Sequence, residues 1–275
     1  MDGKLYVCGT PIGNLEDSSI RLLKTLRKVD LIACEDTRQT VKLLNRFKIK
    51  KKLISYHEHS QPHREQYILD QLAEGLQIAL VSDAGMPVIS DPGQKLVKRA
   101  LEAGIEVEVI PGPSAFTAAL AWSGLDGSSF TFMGFLPAKR SQRQAALLDL
   151  KREQRMVIFY EAPHRLVKTL EDMAEIMGAV HPVVVAREIT KLHQQVKQGS
   201  IAELLQYYIE NPPRGEICLL MPATRPDAEP VSLAKIIQET AALIASGVDK
   251  KEAFKMKARE YNVKKSTIYK QFLDK

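Results

Sequence analysis

Short apolar runs alternate with segments of helical periodicity along the first 110 residues. The runs are bounded by turn residues, which is typical of buried strands. They lie at residues 5–8, 31–34, 78–82 and 107–110. Helical spacing of apolar residues occurs between them at 18–29, 66–74 and 93–103. In the first segment Ile20, Leu23 and Leu26 share a face, and Asp17 or Ser18 is the predicted N-cap. The alternation predicts a largely parallel sheet covered by helices.

A second group of strand-like runs follows, separated by two long helical segments and a basic loop. These runs lie at 130–135, 156–160, 183–187 and 216–221. The segment MPATRPDAEP then has the prolines and polar residues of a linker, and 232–275 read as a compact, Lys-rich helical tail. We therefore expect α/β domains at 1–115 and 116–225, with a linker and tail at 226–275.

Glycine- and proline-rich loops follow the strands of the first half. Gly9–Gly13 is either a tight turn or a ligand loop, since it matches neither G-x-G-x-x-G nor a P-loop. Similar loops follow at 35–38, 82–87 and 111–115. Ligands bind beyond the carboxyl ends of strands in open α/β sheets. Four such loops together predict a ligand site there.

The second half places charged side chains at loop ends, in YEAPHR (160–165), REITK (187–191) and RGE (214–216). They are either acid/base and anion-binding groups or surface ion pairs and helix caps. His57, Glu58, His59 and His63 form an H-x-H-x-x-x-H cluster, but the flanking Ser, Gln and Pro favour a polar loop that lines a cleft. We therefore expect no metal there.

The composition is that of an ordinary globular protein: 275 residues, 45% hydrophobic, with 39 Lys and Arg against 33 Asp and Glu. This excludes disorder, collagen and coiled coil. Cys8, Cys34 and Cys218 sit in apolar runs and are expected to be buried and reduced. With no signal peptide or long apolar stretch, a soluble cytoplasmic protein is expected. Trp122 lies on an apolar helix, which predicts packing in the core.

The net charge of +6 is concentrated in the tail, because residues 231–275 hold ten Lys and Arg but only five acidic residues. From Ala253 onward the pattern predicts a helix, a turn at Asn262-Val263 and a second helix capped by Ser266. This resembles a helix-turn-helix, and a helical hairpin packed on the body is the alternative. In either case its basic face suits RNA phosphates.

Eight motifs in order resemble one known family. They are GTPIGNLED, EDTRQT, SDAGMPVISDPG, PGPSAF, FMGFLPAKR, YEAPHR, REITK and RGEI. Together they resemble the ribosomal RNA small subunit methyltransferase I family, over about residues 4–222 and the tail. The resemblance implies a tetrapyrrole-methylase-like α/β fold: two α/β domains with the cofactor in the cleft between them, plus the helix-turn-helix-like tail. It also implies a homodimer that transfers a methyl group from S-adenosyl-L-methionine to a cytidine 2′-hydroxyl of 16S rRNA in the small ribosomal subunit.

The resemblance also implies a set of cofactor-binding residues. They are Gly9, Thr10, Pro11, Ile12, Gly13, Asp83, Met86, Ser114, Ala115, Glu161 and the backbone near Thr190. Met86 stands where the family usually has Thr, and a side chain that contributes mainly backbone contacts tolerates that change.

The acceptor chemistry leads to a hypothesis about catalytic residues. Methyl transfer from a sulfonium is an in-line displacement, and the hydroxyl is a poor nucleophile until a base accepts its proton. We expect the target ribose and its phosphates to be surrounded by Arg38, His164, Arg165 and Lys191, oriented by Glu35, Asp36 or Glu188. A neutral His or a desolvated Lys is the expected base.

Two other functions stay open at this point. The first is a protein of the same fold that methylates a tetrapyrrole precursor; against it stand the basic tail and the EDTR, YEAPHR and REITK sets, which the resemblance ties to the rRNA branch. A non-catalytic nucleic-acid-binding protein would not need ligand loops in two domains.

Overall fold

The computed structural model describes residues 3–57, 62–223, 233–261, 263 and 265–273. The chain divides into two compact units, Met1–Ala223 and Thr224–Lys275. Within the described residues, the first unit holds ten strands in two sheets and eight α-helices, and the second holds three α-helices. None of the helices in these ranges is long and apolar enough to cross a membrane.

The first sheet is parallel throughout, and its strand order is β3-β2-β4-β1-β5. Its strands are β1 Lys4–Cys8, β2 Leu31–Cys34, β3 Lys52–Ser55, β4 Gln77–Val81 and β5 Glu106–Ile110. Its helices are α1 Ile20–Lys28, α2 Thr37–Arg46, α3 Pro62–Ala73 and α4 Gln94–Glu102. The predicted parallel sheet is confirmed, and β3 and α2 add to it. Because all the strands run the same way, the loops after them lie at one edge.

The start of α1 differs from the prediction. Its N-cap is Ser19, whose hydroxyl accepts a hydrogen bond from the backbone N–H of Leu22 at 3.0 Å. The predicted cap at Asp17 or Ser18 is wrong, because Leu15–Asp17 forms a separate 3-10 turn ahead of the helix.

The second sheet is mixed, with strand order β6-β7-β10-β8-β9. Its strands are β6 Phe130–Phe135, β7 Met156–Glu161, β8 Pro182–Arg187, β9 Gln195–Ser200 and β10 Ile217–Met221. Only β6 and β7 pair in parallel, and the other neighbours are antiparallel. Its helices are α5 Ala115–Ser123, α6 Arg140–Leu150, α7 Leu166–Met177 and α8 Ile201–Glu210. Helix α5 covers one face, and α6, α7 and α8 cover the other.

Alternate positions of the inner strands fill cores on opposite faces of their sheets. In β1, Leu5 belongs to the core on one face of the sheet, and Tyr6 and Cys8 belong to the core on the other. Cys8, Cys34 and Cys218 are buried free thiols, as predicted.

The second unit is a small helical bundle, which confirms the predicted helical tail. Its helices are α9 Leu233–Ala245, α10 Lys250–Glu260 and α11 Lys265–Leu273. Ile236, Ile237, Phe254 and Ile268 form its core. Helix α11 already begins at Lys265, so Ser266 lies in its first turn and the predicted cap there is wrong. Asn262 and most of the predicted linker, at 224–232, lie outside the described residues.

Two further expectations concern single residues. Trp122, on α5, is 40% exposed, so the prediction that it packs in the core is wrong. His63 lies in the first turn of α3 rather than in a loop, while Glu58 and His59 lie outside the described residues. Among the described residues, no group of three His, Cys, Asp or Glu could hold a metal ion.

Candidate active site

A cavity of about 430 Å³ lies between loops of the two sheets. The loops of the first sheet contribute Ile12, Glu35, Asp83, Ala84, Gly85, Met86, Ile89, Ser90, Asp91, Ser114 and Ala115. The second sheet and its loops contribute Phe135, Tyr160, Glu161, Ala162, Pro163, Ala186, Ile189, Gly215, Glu216, Ile217 and Cys218. Its volume falls within the roughly 300–1,000 Å³ typical of small-molecule sites. The predicted position of the site beyond the strand ends agrees with this cavity.

The loops after β1 and β4 are joined by a short backbone bridge. Thr10 N donates to Gly85 O at 2.8 Å, and Gly85 N donates to Thr10 O at 3.1 Å. The Thr10 hydroxyl is buried and donates to Ser82 O at 3.2 Å. Thr10 therefore fixes the two loops to each other, while Ile12 of the same loop reaches the cavity.

The loops after β1 and β5 also touch, through Gly9 and Gly112. A Cβ on Gly9 would lie 2.7 Å from Gly112 N and 2.5 Å from Met86 Sδ. Because the first of these contacts is with backbone, a side chain at Gly9 would force the two loops apart. The Met86 side chain lines the cavity with its apolar surface.

Three carboxyl groups face the cavity from the first sheet: Glu35, Asp83 and Asp91. Burial raises the pKa of all three, and the negative charge of a neighbouring carboxylate raises each further. The pKa of Asp91 rises furthest, to about 7. Backbone N–H groups counteract the rise at the other two, and Asp36 N donates to Asp83 Oδ1 at 3.0 Å.

The Glu161 carboxylate, at the end of β7, is held by the protein on both oxygens. Thr169 Oγ1 donates to Oε2 at 2.5 Å, and the backbone N–H of Ala162 donates to Oε1 at 2.8 Å. Arg165 Nε lies 3.1 Å from Oε1. Glu161 borders the cavity, but these contacts fix its side chain to the second sheet.

Arg165 is anchored in the same way. Its Nη2 donates to Leu136 O at 2.7 Å and to Pro137 O at 3.2 Å, in addition to the ion pair with Glu161. The side chain thus ties the end of β6 to the end of β7, and it does not line the cavity.

A turn after β8 carries Lys191 against the loop after β1. A Cβ on Gly13 would lie 2.5 Å from Lys191 Cγ and 2.8 Å from Thr190 Oγ1. Glu188 and Thr190 have φ of 51° and 69°, in the left-handed region that is uncommon for residues other than glycine. The Thr190 hydroxyl is buried and makes no hydrogen bond with the described residues.

Two acids hold the Lys191 ammonium group. Its Nζ lies 2.8 Å from Glu188 Oε1 and 2.8 Å from Glu216 Oε2. Burial alone would lower the pKa of Lys191, but these hydrogen bonds outweigh burial and raise it. Lys191 is therefore a cation at neutral pH.

Aromatic rings form one wall of the cavity. Tyr160 packs against Phe132 at a ring-centroid distance of 5.1 Å and against Phe135 at 5.6 Å. Burial raises the pKa of Tyr160 to about 12, so its hydroxyl keeps its proton. Phe135 is 53% exposed, although it lines the cavity.

The residues predicted to act in catalysis occupy different surroundings. Of the six, only Glu35 lines the cavity. Asp36 caps α2 and binds the exposed Arg38, with 2.7 Å between Oδ2 and Nη2. His164 is exposed in the 3-10 turn Pro163–Arg165. The catalytic roles of these six residues stay predictions.

The predicted cofactor residues separate into two groups. Ile12, Asp83, Met86, Ser114, Ala115 and Glu161 line the cavity; Gly9, Thr10, Pro11, Gly13 and Thr190 lie in the loops that frame it. Sequence reasoning named Glu216 only as one of the charged loop ends, in RGE, and did not assign Asp91, Phe135 or Tyr160 to the site. Their signal was present, since Asp91 stands in the second half of SDAGMPVISDPG and Phe135 in FMGFLP.

Comparison with known proteins identifies the family. Residues 4–205 match the model of the tetrapyrrole (corrin/porphyrin) methylases. Two curated relatives are named ribosomal RNA small subunit methyltransferase I. The one from Thermotoga maritima is 52% identical over 219 residues, which are 80% of this chain and 98% of the relative. The one from Synechocystis sp. is 45% identical over 273 residues, 99% of this chain and 98% of the relative.

Solved structures show the same fold at low sequence identity. A diphthine synthase superposes with a TM-score of 0.65 at 14% identity, over 82% of this chain and 96% of its own. A uroporphyrin-III-C-methyltransferase from Thermus thermophilus gives 0.58 at 18% identity, over 81% and 96%. Together with the family model and the curated relatives, these matches show that the chain belongs to the tetrapyrrole methylases and, among them, to the ribosomal RNA small subunit methyltransferase I family.

Proposed function

We propose that this protein transfers a methyl group from S-adenosyl-L-methionine to a cytidine 2′-hydroxyl of 16S rRNA in the small ribosomal subunit. The observation that carries the proposal is the match, over 97–99% of the chain, to relatives named ribosomal RNA small subunit methyltransferase I. The cavity between the two sheets supports it, because its walls combine apolar surface with a small number of polar groups.

The side chains at the cavity fit this methyl donor. Glu35 and Asp83 offer carboxylate oxygens, which accept hydrogen bonds from ribose hydroxyls and an ammonium group and suit the positive charge of a sulfonium. The buried Thr190 hydroxyl still lacks a partner among the described residues, and such a group is commonly satisfied by a ligand. The bound donor supplies an electrophilic methyl group on sulfur.

The residues that would hold the donor are those inferred from the sequence, in two roles. Ile12, Asp83, Met86, Ser114, Ala115 and Glu161 would touch it, while Gly9, Thr10, Pro11, Gly13 and Thr190 would fix the loops around it. This division follows the cavity lining and the short backbone contacts of Gly9 and Thr10.

The protein's task toward the RNA is to orient the ribose and exclude water. The exposed Arg38 suits a contact with an RNA phosphate. It lies near the cavity, since its positive charge interacts with the carboxylate of Asp83. Lys191 keeps its positive charge between Glu188 and Glu216, and these ion pairs would hold the turn after β8 in place beside the acceptor site. The exposed ring of Phe135 suits stacking of a splayed-out base.

A homodimer in the cytoplasm completes the proposal. Val109, Trp122 and Met133 are apolar side chains that remain 52%, 40% and 42% exposed, and a second copy that covered them would remove this apolar surface from water. Assembled ribosomal subunits are cytoplasmic, and three free thiols fit a reducing compartment.

Methylation of a tetrapyrrole precursor is the competing function. The solved structures named for such an activity are under 25% identical to this chain and thus speak for the fold alone. They cover 80–81% of this chain, whereas rRNA methyltransferase relatives such as those from Synechocystis sp. and Bacillus subtilis extend over 97–99%. Membership in a methyltransferase family also argues against a non-catalytic binding protein.

One experiment separates these functions. The purified protein is incubated with methyl-labelled S-adenosyl-L-methionine and, in parallel, with undermodified small subunits, naked 16S rRNA or a precorrin. We expect label in the RNA of the small subunits. Label in the precorrin without label in either RNA would contradict the proposal, and so would label in none of the three.

A further inference from the structure

The loop after β4 brings Asp91 to the cavity in a constrained conformation. Val88 and Ser90 have φ of 77° and 62°, and for a β-branched residue such as Val88 this is a marked outlier. The Ser90 Oγ lies 3.0 Å from the position of a Cβ on Gly134 in β6. The loop therefore reaches from the first sheet to the second and presents the Asp91 side chain between them.

The Asp91 carboxylate is unpaired within the described parts of the chain: no hydrogen bond or ion pair reaches it there. The charged groups that act on it are Glu35 and Asp83, both of them acids that face the same cavity. Burial and these two negative charges raise the pKa of Asp91 to about 7. A carboxyl group of this kind exchanges its proton near neutral pH, where a general base is most effective.

Other titratable side chains of the cavity are less suited to accept a proton. Both oxygens of Glu161 are engaged, and Glu216 is paired with Lys191. Burial raises the pKa of Tyr160 and of Cys218 to about 12, so both keep their own protons. Backbone N–H groups stabilise the ionised forms of Glu35 and Asp83 and offset part of the rise in their pKa, whereas Asp91 has no such hydrogen bond from the described residues.

The two candidate bases inferred from the sequence do not line the cavity. Lys191 stays protonated between Glu188 and Glu216, and a protonated amine accepts no proton. His164 is exposed and lies outside the cavity lining.

We propose that Asp91 is the catalytic base that accepts the proton of the ribose 2′-hydroxyl, an assignment that rests on the proposed function. The ribose oxygen forms a bond to the methyl carbon, the carbon–sulfur bond breaks and its electron pair stays on sulfur. The hydroxyl proton passes to a carboxylate oxygen of Asp91 and from there to solvent. No further reactant is needed.

The test compares Asp91→Asn with Asp149→Asn, which alters an exposed carboxylate on α6 outside the cavity. Single-turnover methyl transfer to small subunits is measured with saturating S-adenosyl-L-methionine. We expect Asp91→Asn to lose at least about 100-fold in rate, the lower range for a general base, and to bind the donor as the wild type does. Asp149→Asn keeps the wild-type rate.

The pH dependence gives a second readout. In the wild type, kcat/KM falls about tenfold per pH unit below about 7 and levels off above it, because only the ionised carboxylate accepts a proton. Asp91→Asn removes this acidic limb. It also raises Tm more at pH 8 than at pH 5, because the folded protein opposes ionisation of Asp91 and an amide has no charge to bury.

Three results would overturn the assignment: a rate for Asp91→Asn within tenfold of the wild type, loss of donor binding by this variant, or an acidic limb that persists in it. Loss of binding would make Asp91 a binding residue instead. If the wild type leaves small subunits unmethylated, the proposed function fails and the assignment fails with it; if only the variant comparison fails, the proposed function stands.

Discussion

At the scale of single residues, some of the side chains that the sequence singles out stabilise the fold, and others line the cavity. Glu161 and Arg165 stand together in YEAPHR, and charge alone cannot tell an anion-binding pair from a buried structural one. The structure gives them a structural arrangement, because Glu161 is 2% exposed and Arg165 also binds two carbonyl oxygens at the end of β6.

Arg165→Ala is therefore expected to destabilise the fold. It leaves the Glu161 carboxylate buried without its cationic partner, which costs about 3 kcal/mol of the free energy of unfolding. Urea denaturation followed by circular dichroism measures the loss. Arg155→Ala is the matched control, since that arginine pairs with Glu153 at the surface and is expected to change the unfolding midpoint little. An Arg165→Ala variant as stable as the control would contradict the structural role.

We expect Phe135 to contribute to RNA binding by stacking against a base. Phe135→Ala should raise KM for small subunits about fivefold or more, because stacking of a base on an aromatic ring is worth about 1–3 kcal/mol. Phe135→Tyr keeps the ring and should keep KM, whereas Phe135→Leu keeps apolar area without a π-face and should behave like Ala. Binding of S-adenosyl-L-methionine, measured by calorimetry, should change in none of them. Equal KM values for Leu and Tyr would contradict stacking.

At the scale of elements, the inner strands were more predictable than the edge strands. The runs at 5–8, 31–34 and 78–82 are the inner strands β1, β2 and β4 of the first sheet, because a buried parallel strand needs apolar residues on both faces, and the run at 107–110 is its edge strand β5. Strand β3 was missed because its apolar stretch consists only of Leu53 and Ile54, directly after Lys50, Lys51 and Lys52. Strand β9, QVKQGS, was missed because an edge strand needs only one buried face and little apolar sequence.

The sequence predicted the positions of the helices better than it predicted which face of each helix is buried. In α1, Leu22 and Leu26 are fully buried, but Ile20 is 73% exposed and does not share their buried face as predicted. Ile20, Leu23 and Leu26 define one apolar stripe by their spacing, but a fourth apolar residue, Leu22, shifts the centre of the buried face. Helix α5 has apolar residues all round, so its sequence held no sign that Trp122 faces outward.

In the candidate site, too, one part was predictable from the sequence and another part was not. Its loops were predictable from glycine and proline after apolar runs, because parallel strands bring their carboxyl ends to one edge. Which side chains enter the cavity was predictable only in part, since six of the eleven predicted cofactor residues line it. Asp91 enters because of the unusual backbone at Val88 and Ser90, and His164 does not because its turn presents it to solvent.

The contact between the loops after β1 and β5 gives a test at this scale. Gly9→Ala is expected to weaken binding of S-adenosyl-L-methionine at least tenfold, because its Cβ meets the Gly112 backbone and displaces both loops. Gly104→Ala is the control: its surroundings are open, and the left-handed backbone there costs roughly 1–2 kcal/mol of folding free energy but touches no site. Calorimetry gives Kd for both. A wild-type Kd for Gly9→Ala would contradict the proposed role of these loops.

At the scale of the whole molecule, the positive charge and the cavity belong to different parts of the chain. Five of the six net charges lie in residues 231–275. The Thermotoga maritima relative aligns over 219 residues that make up 98% of it, so the whole relative is about as long as the first unit alone. A relative of the same family is thus about a fifth shorter than this chain, and we propose that the second unit has an accessory role in binding.

Exposed lysines of the second unit are expected to bind RNA phosphates. Replacing Lys251, Lys255 and Lys265 by Gln should weaken binding to small subunits and reduce the salt slope of log K by about 0.7–0.9 for each phosphate that is no longer neutralised. The control removes the same charge from exposed positions of the first unit, Lys24, Lys95 and Lys98. Binding is measured by filter retention at several salt concentrations. An equal slope in the two triple variants would show that net charge alone acts.

The central claim, methylation of a cytidine ribose, is tested most directly by nucleoside mass spectrometry of 16S rRNA. Undermodified small subunits are incubated with the protein and S-adenosyl-L-methionine, and the RNA is digested to nucleosides. We predict that 2′-O-methylcytidine accumulates with time and that omission of the donor abolishes it. A methyl group found only on a base, or RNA that stays unmethylated while a precorrin is methylated, would contradict the account.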